Sequence, residues 1–354
     1  MPRETRDFHA KTYRAPVNDQ WDFLLSTMWN QMIHLVIMVD GRLDEERLVS
    51  AMCTALATEP VLRCRFIGSP VPCWEELPAV PPGTFFSVVH ADDAKKALRH
   101  ALFHRVDPCS GPQARLTLIR GREDVLVLSV NHAASDACGV KGTAALIARA
   151  YRGSAPDSAP DLPPSPACDR SYAPVLSSFT QQEQEMAREA CKESPAEWGV
   201  PCSPGPCRAP CYLWRRIDRG LFGRVRSFSR SERMTINDLL LSAFFQSVSM
   251  EIPHSDGRDY PVLTSLDLRR LVPGVPTPAV ANLSVAFEVR LPADSTLPPY
   301  SHARETHHAM EERKRLLAGI GAAVRVQERF EGGFSGVRQS LEDLARASES
   351  EGYP

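Results

Sequence analysis

An α/β fold of two lobes, each an α+β sandwich with a mixed sheet, is predicted by three features of this 354-residue chain. Short β-branched apolar runs alternate with segments of helical period through residues 1–153, the pattern of sheets covered by helices. The run from Ser154 to Pro174, SAPDSAPDLPPSPACDRSYAP, is rich in Ser, Pro and Asp and cannot supply a core. A second alternation of strands and helices begins near Tyr212. The expected organisation is an N-terminal lobe over 1–153, a proline-rich linker over 154–211 and a C-terminal lobe over 212–354.

Residues 1–20 are polar and read as peripheral, and Trp21–Trp29 is an apolar patch suited to a short helix. Met32–Val39 reads as a strand closed by the turn Asp40-Gly41. Leu43–Leu56 reads as a helix, because Leu48, Met52, Ala55 and Leu56 share one face and Glu45 and Glu46 suit its positive end. Pro60 ends it, and Val61–Ile67 resumes as a strand. Gly68–Gly83 is proline-rich and reads as irregular. Thr84–His90 is a strand and Ala94–His104 a short helix. Arg115–Arg120 and Asp124–Val130 form a hairpin through Gly121-Arg122-Glu123, and a helix follows from about Val140 to Tyr151.

Within the linker, Ser177–Glu193 has the Gln and Glu content of a solvated helix. Beyond it, Tyr212–Ile217 reads as a strand and Leu221–Arg230 as a helix. Thr235-Ile236-Asn237-Asp238 has the form of a capping box. Leu239, Leu240, Leu241, Ala243, Phe244, Phe245 and Val248 then predict a strongly buried helix. Tyr260–Leu266 and Asn282–Leu291 are strands. Ser301–Leu317 is a charged helix carrying His307 and His308 on a solvated face, and the remainder is polar and helix-prone.

Composition narrows the function. A formal net charge of -2, with no basic patch interleaved with aromatics, argues against nucleic acid as a partner. No apolar run is long enough to span a membrane, and the N-terminus lacks the apolar core of a signal peptide. The ten cysteines show no secreted-framework spacing, so reduced thiols in a cytoplasm are expected. Cys202-x4-Cys207-x3-Cys211, with Cys191 upstream, falls in the spacing range of zinc ligands; free linker thiols are the reading adopted, and no metal is expected. No phosphate-binding glycine loop appears, so no nucleotide cofactor is implied.

The stretch that carries chemistry is Asp124–Gly139, DVLVLSVNHAASDACG. Its apolar half suits a strand buried on both faces. It breaks into Asn131-His132-Ala133-Ala134-Ser135-Asp136, which places His132 where a strand meets a loop, held by the scaffold and open to a substrate. Ser135 lacks the G-x-S-x-G elbow of a serine nucleophile. Cys138 is a thiol near the site, with small core packing as its default role.

His132-x-x-x-Asp136 after a buried strand resembles the HHxxxDG motif of nonribosomal peptide synthetase condensation domains. It also resembles the HxxxD motif of coenzyme A-dependent acyltransferases with the chloramphenicol-acetyltransferase-like fold. Further pieces follow in the family's order: Val106-Asp107-Pro108-x-x-Gly111-Pro112-x-x-Arg115-Leu116, then Thr235-Ile236-Asn237-Asp238-Leu239-Leu240-Leu241. Ser265-Leu266-Asp267-Leu268-Arg269-Arg270 comes next, with Ala281-Asn282-Leu283-Ser284 after it. The resemblance spans roughly residues 20–320.

It implies two lobes facing across a tunnel, and an acyl transferase that moves an acyl group from a coenzyme A or carrier-protein thioester to a small-molecule amine or hydroxyl. His132 is then the general base. Asp136 supports the loop by pairing with Arg269, and Asn131 shapes it. Ser135, Cys138, Gly139, Asn282 and Ser284 are candidates for the tunnel wall. The thioester is a co-substrate, and no cofactor is implied. The alternative is a non-catalytic module that binds an acyl carrier or acyl chain. The sequence departs from the family at Asn131, which replaces the first histidine, and at Ala137, which replaces a glycine. Strands expected after the last helix are absent, so the C-terminal lobe is expected to be truncated.

Overall fold

The computed structural model describes residues 10–26, 28–153, 169–191, 212–251, 259–291 and 297–351. The chain divides into two compact units. One comprises Met1–Ser178, Arg269–Leu283 and Val326–Ala347; the other comprises Phe179–Leu268, Ser284–Arg325 and Ser348–Pro354. The division does not follow chain order. Residues 269–283 and 326–347, which the sequence places in a C-terminal lobe, belong to the first unit because Val280, Phe330, Phe334, Val337 and Leu341 are part of its apolar core. Most of the expected linker, with Cys202, Cys207 and Cys211, lies outside the described residues.

The first unit is built on a four-stranded mixed sheet. Its strands are β2 (Met32–Val39), β5 (Phe86–His90), β6 (Ala114–Arg120) and β7 (Asp124–Asn131), in the order β2-β7-β6-β5. The β6–β7 hairpin and the β2–β7 pair are antiparallel, and β5 joins β6 in parallel. Every residue of β7 is buried. Helices α2 (Glu45–Thr58) and α5 (Ala137–Tyr151) pack on each other, and Leu48, Met52, Ala55, Val140 and Ile147 enter the core. The Asp44 carboxylate caps α2 through the Arg47 N–H at 2.8 Å. Helix α4 (Ala94–Phe103) buries Ala101 and Leu102 against Ile119, Val125 and Val127.

A second, small sheet in this unit joins β1 (Thr12–Arg14), β4 (Cys73–Glu76) and β3 (Cys64–Ile67) in the order β1-β4-β3. It corrects two expectations. The proline-rich Gly68–Gly83 segment contains β4, which forms because Trp74 is buried edge-on against Phe66, with ring centroids 5.1 Å apart. The strand expected from Val61 starts only at Cys64, because Pro60–Arg63 forms a 3-10 turn opened by its proline. Helix α1 (Val17–Leu25) runs beside this sheet, where Phe23 stacks on Phe66 at 4.0 Å.

The second unit contains α7 (Gln181–Ala190), α8 (Arg219–Ser231), α9 (Ile236–Glu251), α10 (Pro299–Arg315) and, as far as Arg325, α11 (Ala318–Arg329). It also holds an antiparallel pair, β8 (Tyr260–Asp267) and β9 (Ser284–Leu291), in register from Tyr260↔Leu291 to Asp267↔Ser284. Thr180 and Glu183 form a capping box that starts α7 inside the expected linker. Gly321 lets α11 approach α7, since a Cβ there would strike the Ala187 carbonyl.

Three expectations for this unit change. Tyr212–Ile217 is not a strand: it has no pairing among the described residues, and Leu213 is 88% exposed. Helix α9 turns Asp238, Ser242, Phe245 and Ser249 inward and leaves Leu240 and Phe244 exposed. The polar stripe faces inward because it meets two histidines of α10: Ser242 bonds His302 at 3.0 Å and Asp238 bonds His307 at 2.9 Å. His307 is therefore an internal partner and not a solvated side chain. The capping box forms reciprocally, with the Thr235 N–H on Asp238 Oδ2 at 2.9 Å and the Asp238 N–H on Thr235 Oγ1 at 3.1 Å. Among the described residues no strand follows β9, and no helix is long and apolar enough to cross a membrane.

Candidate active site

The site forms where β7 ends. Because β2 and β7 are antiparallel with Met32 opposite Asn131, the end of β7 lies level with the start of β2 and with the chain that leads into it from α1. The His132 N–H donates to the Gln31 carbonyl at 2.8 Å. The turn then closes on itself, with the Ala134 N–H on Asn131 O and the Ser135 N–H on His132 O. Asn131 is buried and completes the turn. Its Oδ1 accepts the Ala133 N–H at 2.9 Å, and its Nδ2 donates to Val106 O at 3.1 Å. A short side-chain amide suits this local bond.

His132 keeps 30% of its side chain exposed, while its Nδ1 is buried. The open ring nitrogen is Nε2. Nδ1 faces Asp22 Oδ2 of α1 at 3.4 Å, an ion-pair distance longer than an ordinary hydrogen bond. Burial alone would pull the imidazole pKa down. The Asp22 charge and hydrogen bonding outweigh it, helped by the ring's own backbone carbonyl and by Asp136, and raise it to about 9. Asp22 is itself pushed up by burial, against the pull of His132. The two titrate as a pair.

Asp136 caps α5 by accepting the Gly139 N–H on Oδ1 at 2.9 Å. Its Oδ2 accepts Arg269 Nη1 at 2.8 Å and the Leu283 N–H at 2.9 Å. This carboxylate is spent on structure and is only 1% exposed. Arg269, in the turn Leu268–Arg270, also donates through Nη2 to Ala281 O at 3.1 Å.

A second buried carboxylate, Asp19, sits one helical turn before Asp22. Its Oδ2 accepts Trp74 Nε1 at 2.8 Å and Arg170 Nη2 at 2.9 Å; its Oδ1 accepts Asn282 Nδ2 at 3.2 Å. Burial, against the pull of Arg170, raises the Asp19 pKa to about 6. Asn282 Nδ2 also donates to Ala133 O at 2.8 Å, and Arg170 Nη2 to Ala134 O at 2.9 Å, so this layer holds the turn from below. Tyr172 is buried, and burial with the three nearby carboxylates pushes its phenol well up.

The expected site residues thus divide. His132, Asn131, Asp136 and Arg269 come together in the first unit. Ser135, Gly139 and Asn282, suggested for a tunnel wall, are instead packed inside that unit, because their polar groups or close contacts serve the turn. Cys138 is exposed on the first turn of α5. Ser284 opens β9 of the second unit. Ala137 starts α5 as an ordinary helical residue, so no left-handed conformation is needed there. Asp22, Asp19, Arg170 and Trp74 were not read from the sequence. A cavity of about 530 Å³ lined by Tyr13, Gln20, Trp74 and Arg170, among others, does not take in His132. No cluster of three or more metal-ligating side chains occurs among the described residues.

No family model matches the chain, and no curated protein matches it. Solved structures do. The first condensation domain of the calcium-dependent antibiotic synthetase, in complex with a substrate analogue, matches at TM-score 0.66 and 13% identity over 87% of this chain and 76% of that one. The condensation domain of the monacolin K polyketide synthase MokA matches at 0.61 and 15% over 91% and 76%. The X-domain from teicoplanin biosynthesis matches at 0.55 and 19% over 86% and 71%. The chain has a condensation-domain-like α/β fold.

Proposed function

We propose that this chain catalyses condensation-type acyl transfer, from a coenzyme A or carrier-protein thioester to a small-molecule amine or hydroxyl. The observation that carries this reading is the His132 ring, fixed at the end of a buried strand with Nδ1 against Asp22 and Nε2 open. A neutral Nε2 takes the acceptor's proton as its nitrogen or oxygen attacks the thioester carbonyl. The carbon–sulfur bond then breaks, and the departing thiolate recovers that proton from the imidazolium. Asp136 and Arg269 keep the loop in place and touch no reacting atom in this scheme. Cys53, Cys64, Cys73 and Cys109 are free thiols, which suits a cytoplasmic setting.

The test is thiol release from a panel of acyl-CoA and acyl-carrier thioesters offered with amine and alcohol acceptors. Transfer by the wild type, reduced by roughly 10²–10⁴-fold in His132→Ala, is the expected result. No transfer across the panel overturns the reading, and transfer that survives His132→Ala unchanged overturns the base assignment.

A non-catalytic binding module for an acyl carrier or acyl chain is favoured by one observation. The X-domain of teicoplanin biosynthesis, 19% identical with a TM-score of 0.52, was solved in complex with another protein, OxyB. On this reading an acyl carrier binds equally well to the wild type and to His132→Ala, and neither turns over.

A further inference from the structure

The layer beneath the Asn131–Asp136 turn holds three carboxylates, and two of them have their own guanidinium. Asp19 lies 2.9 Å from Arg170, and Asp136 lies 2.8 Å from Arg269. The third, Asp22, has no Lys or Arg within ion-pair distance among the described residues; its partner is His132 Nδ1 at 3.4 Å. A carboxylate taken out of water without a counter-charge is costly, so each should have a cation. With all three ionised, the two guanidiniums leave one negative charge over, and the imidazole beside Asp22 is placed to balance it.

Among the described residues, the surroundings of His132 offer no competing cation. From α1 it faces Asp22, with Asp19 behind; from its own loop it faces Asp136. Arg170 and Arg269 are committed to Asp19 and Asp136, and Tyr172 is held neutral. The geometry at the ring agrees: Nδ1 is buried towards Asp22 and Nε2 is open.

We propose that Asp22 is a positioning residue for His132: it holds the ring through Nδ1–H, directs Nε2 outward, and is the counter-ion of the imidazolium. The ion pair stands independently of the acyl-transfer reading; only its catalytic consequence rests on that reading. In the resting site Nε2 carries a proton, and the free base appears as pH rises. Acyl transfer therefore climbs on an alkaline limb well above the ordinary histidine range. Once the acceptor's proton arrives, Asp22 stabilises the cation that forms.

The decisive measurement is an NMR titration of ¹⁵N-labelled imidazoles, with the His132 signal assigned by its loss in His132→Gln. In the wild type His132 should titrate near pH 9. In Asp22→Asn, with burial unopposed by that charge, it should titrate near or below 6.5, and Asp22→Glu should restore much of the difference. The alkaline limb of kcat should move with it, and KM should change less. A wild-type His132 that titrates near 6.5 overturns the proposal, whether or not the variants fold. So does a titration that Asp22→Asn leaves in place. Because the titration needs no turnover, a shifted His132 in a protein without acyl transfer keeps the ion pair and removes the function.

Discussion

The Arg269 guanidinium donates to Asp136 Oδ2 at 2.8 Å, joining residues 133 apart in the sequence, and the same oxygen accepts the Leu283 N–H. Both side chains are largely buried, so removing one partner strands the charge of the other. Asp136→Ala is expected to cost about 3–5 kcal/mol of stability, and the double variant with Arg269→Ala less than the sum of the two singles. Urea unfolding of all four proteins measures the coupling, and additive losses would show that the pair does not act as a unit.

The site was only partly legible. His132 could be located because eight successive buried residues of β7 announce a strand and the polar loop after it announces its end. The contact between Asp136 and Arg269 could be anticipated only through motif order, since no local pattern links them. Asp22 could not be anticipated: its place beside His132 depends on the antiparallel register of β2 and β7, a non-local fact. The same limit hid β4, four residues that lie between β1 and β3 in the sheet although both precede it in sequence. In α9 the dense run of Leu and Phe masked a stripe of Asp238, Ser242 and Ser249, and that stripe is the side turned inward.

Asn131 stands where the resembled motif has histidine, and its amide uses both ends, on Ala133 N–H and on Val106 O. In an imidazole Nδ1 can take the place of Oδ1, but the donor Nε2 lies further from the backbone than the amide Nδ2 and does not meet Val106 O in the same place. Asn131→His and Asn131→Ala are each expected to destabilise by about 1–3 kcal/mol, because a buried backbone group loses its partner. Thermal unfolding checks this, and an unchanged Tm for both variants would refute it.

Gly139 sits where α5 meets the segment before Asn282. A Cβ there would strike Ser135 Oγ and lie 3.0 Å from Ala279 O and 3.1 Å from Val280 Cα. Gly139→Ala is expected to cost about 1–3 kcal/mol through overpacking. Gly142, one turn on, would place its Cβ 3.8 Å from Ala279 Cβ, an ordinary contact. Gly142→Ala should be neutral or stabilise by about 0.4–1 kcal/mol. Equal effects at the two positions, read from urea midpoints, would contradict the packing argument.

Stability should fall as pH rises through two windows. Asp19 has a folded pKa of about 6, above its ordinary 3.8, so between those values the folded state binds more protons than the unfolded chain. Stability drops across that range and stays lower above it. His132, raised from 6.5 to about 9, behaves in the same sense. Its contribution is complete below 6.5 and is lost as pH passes 9. With a ring that is 30% exposed, solvent screening reduces the full linkage value to about 1–3 kcal/mol. His132→Gln removes the second window and leaves the first. Urea midpoints at pH 6.5 and 9.5 should therefore diverge more in the wild type than in the variant, and parallel profiles would show that the His132–Asp22 pair contributes nothing to the fold.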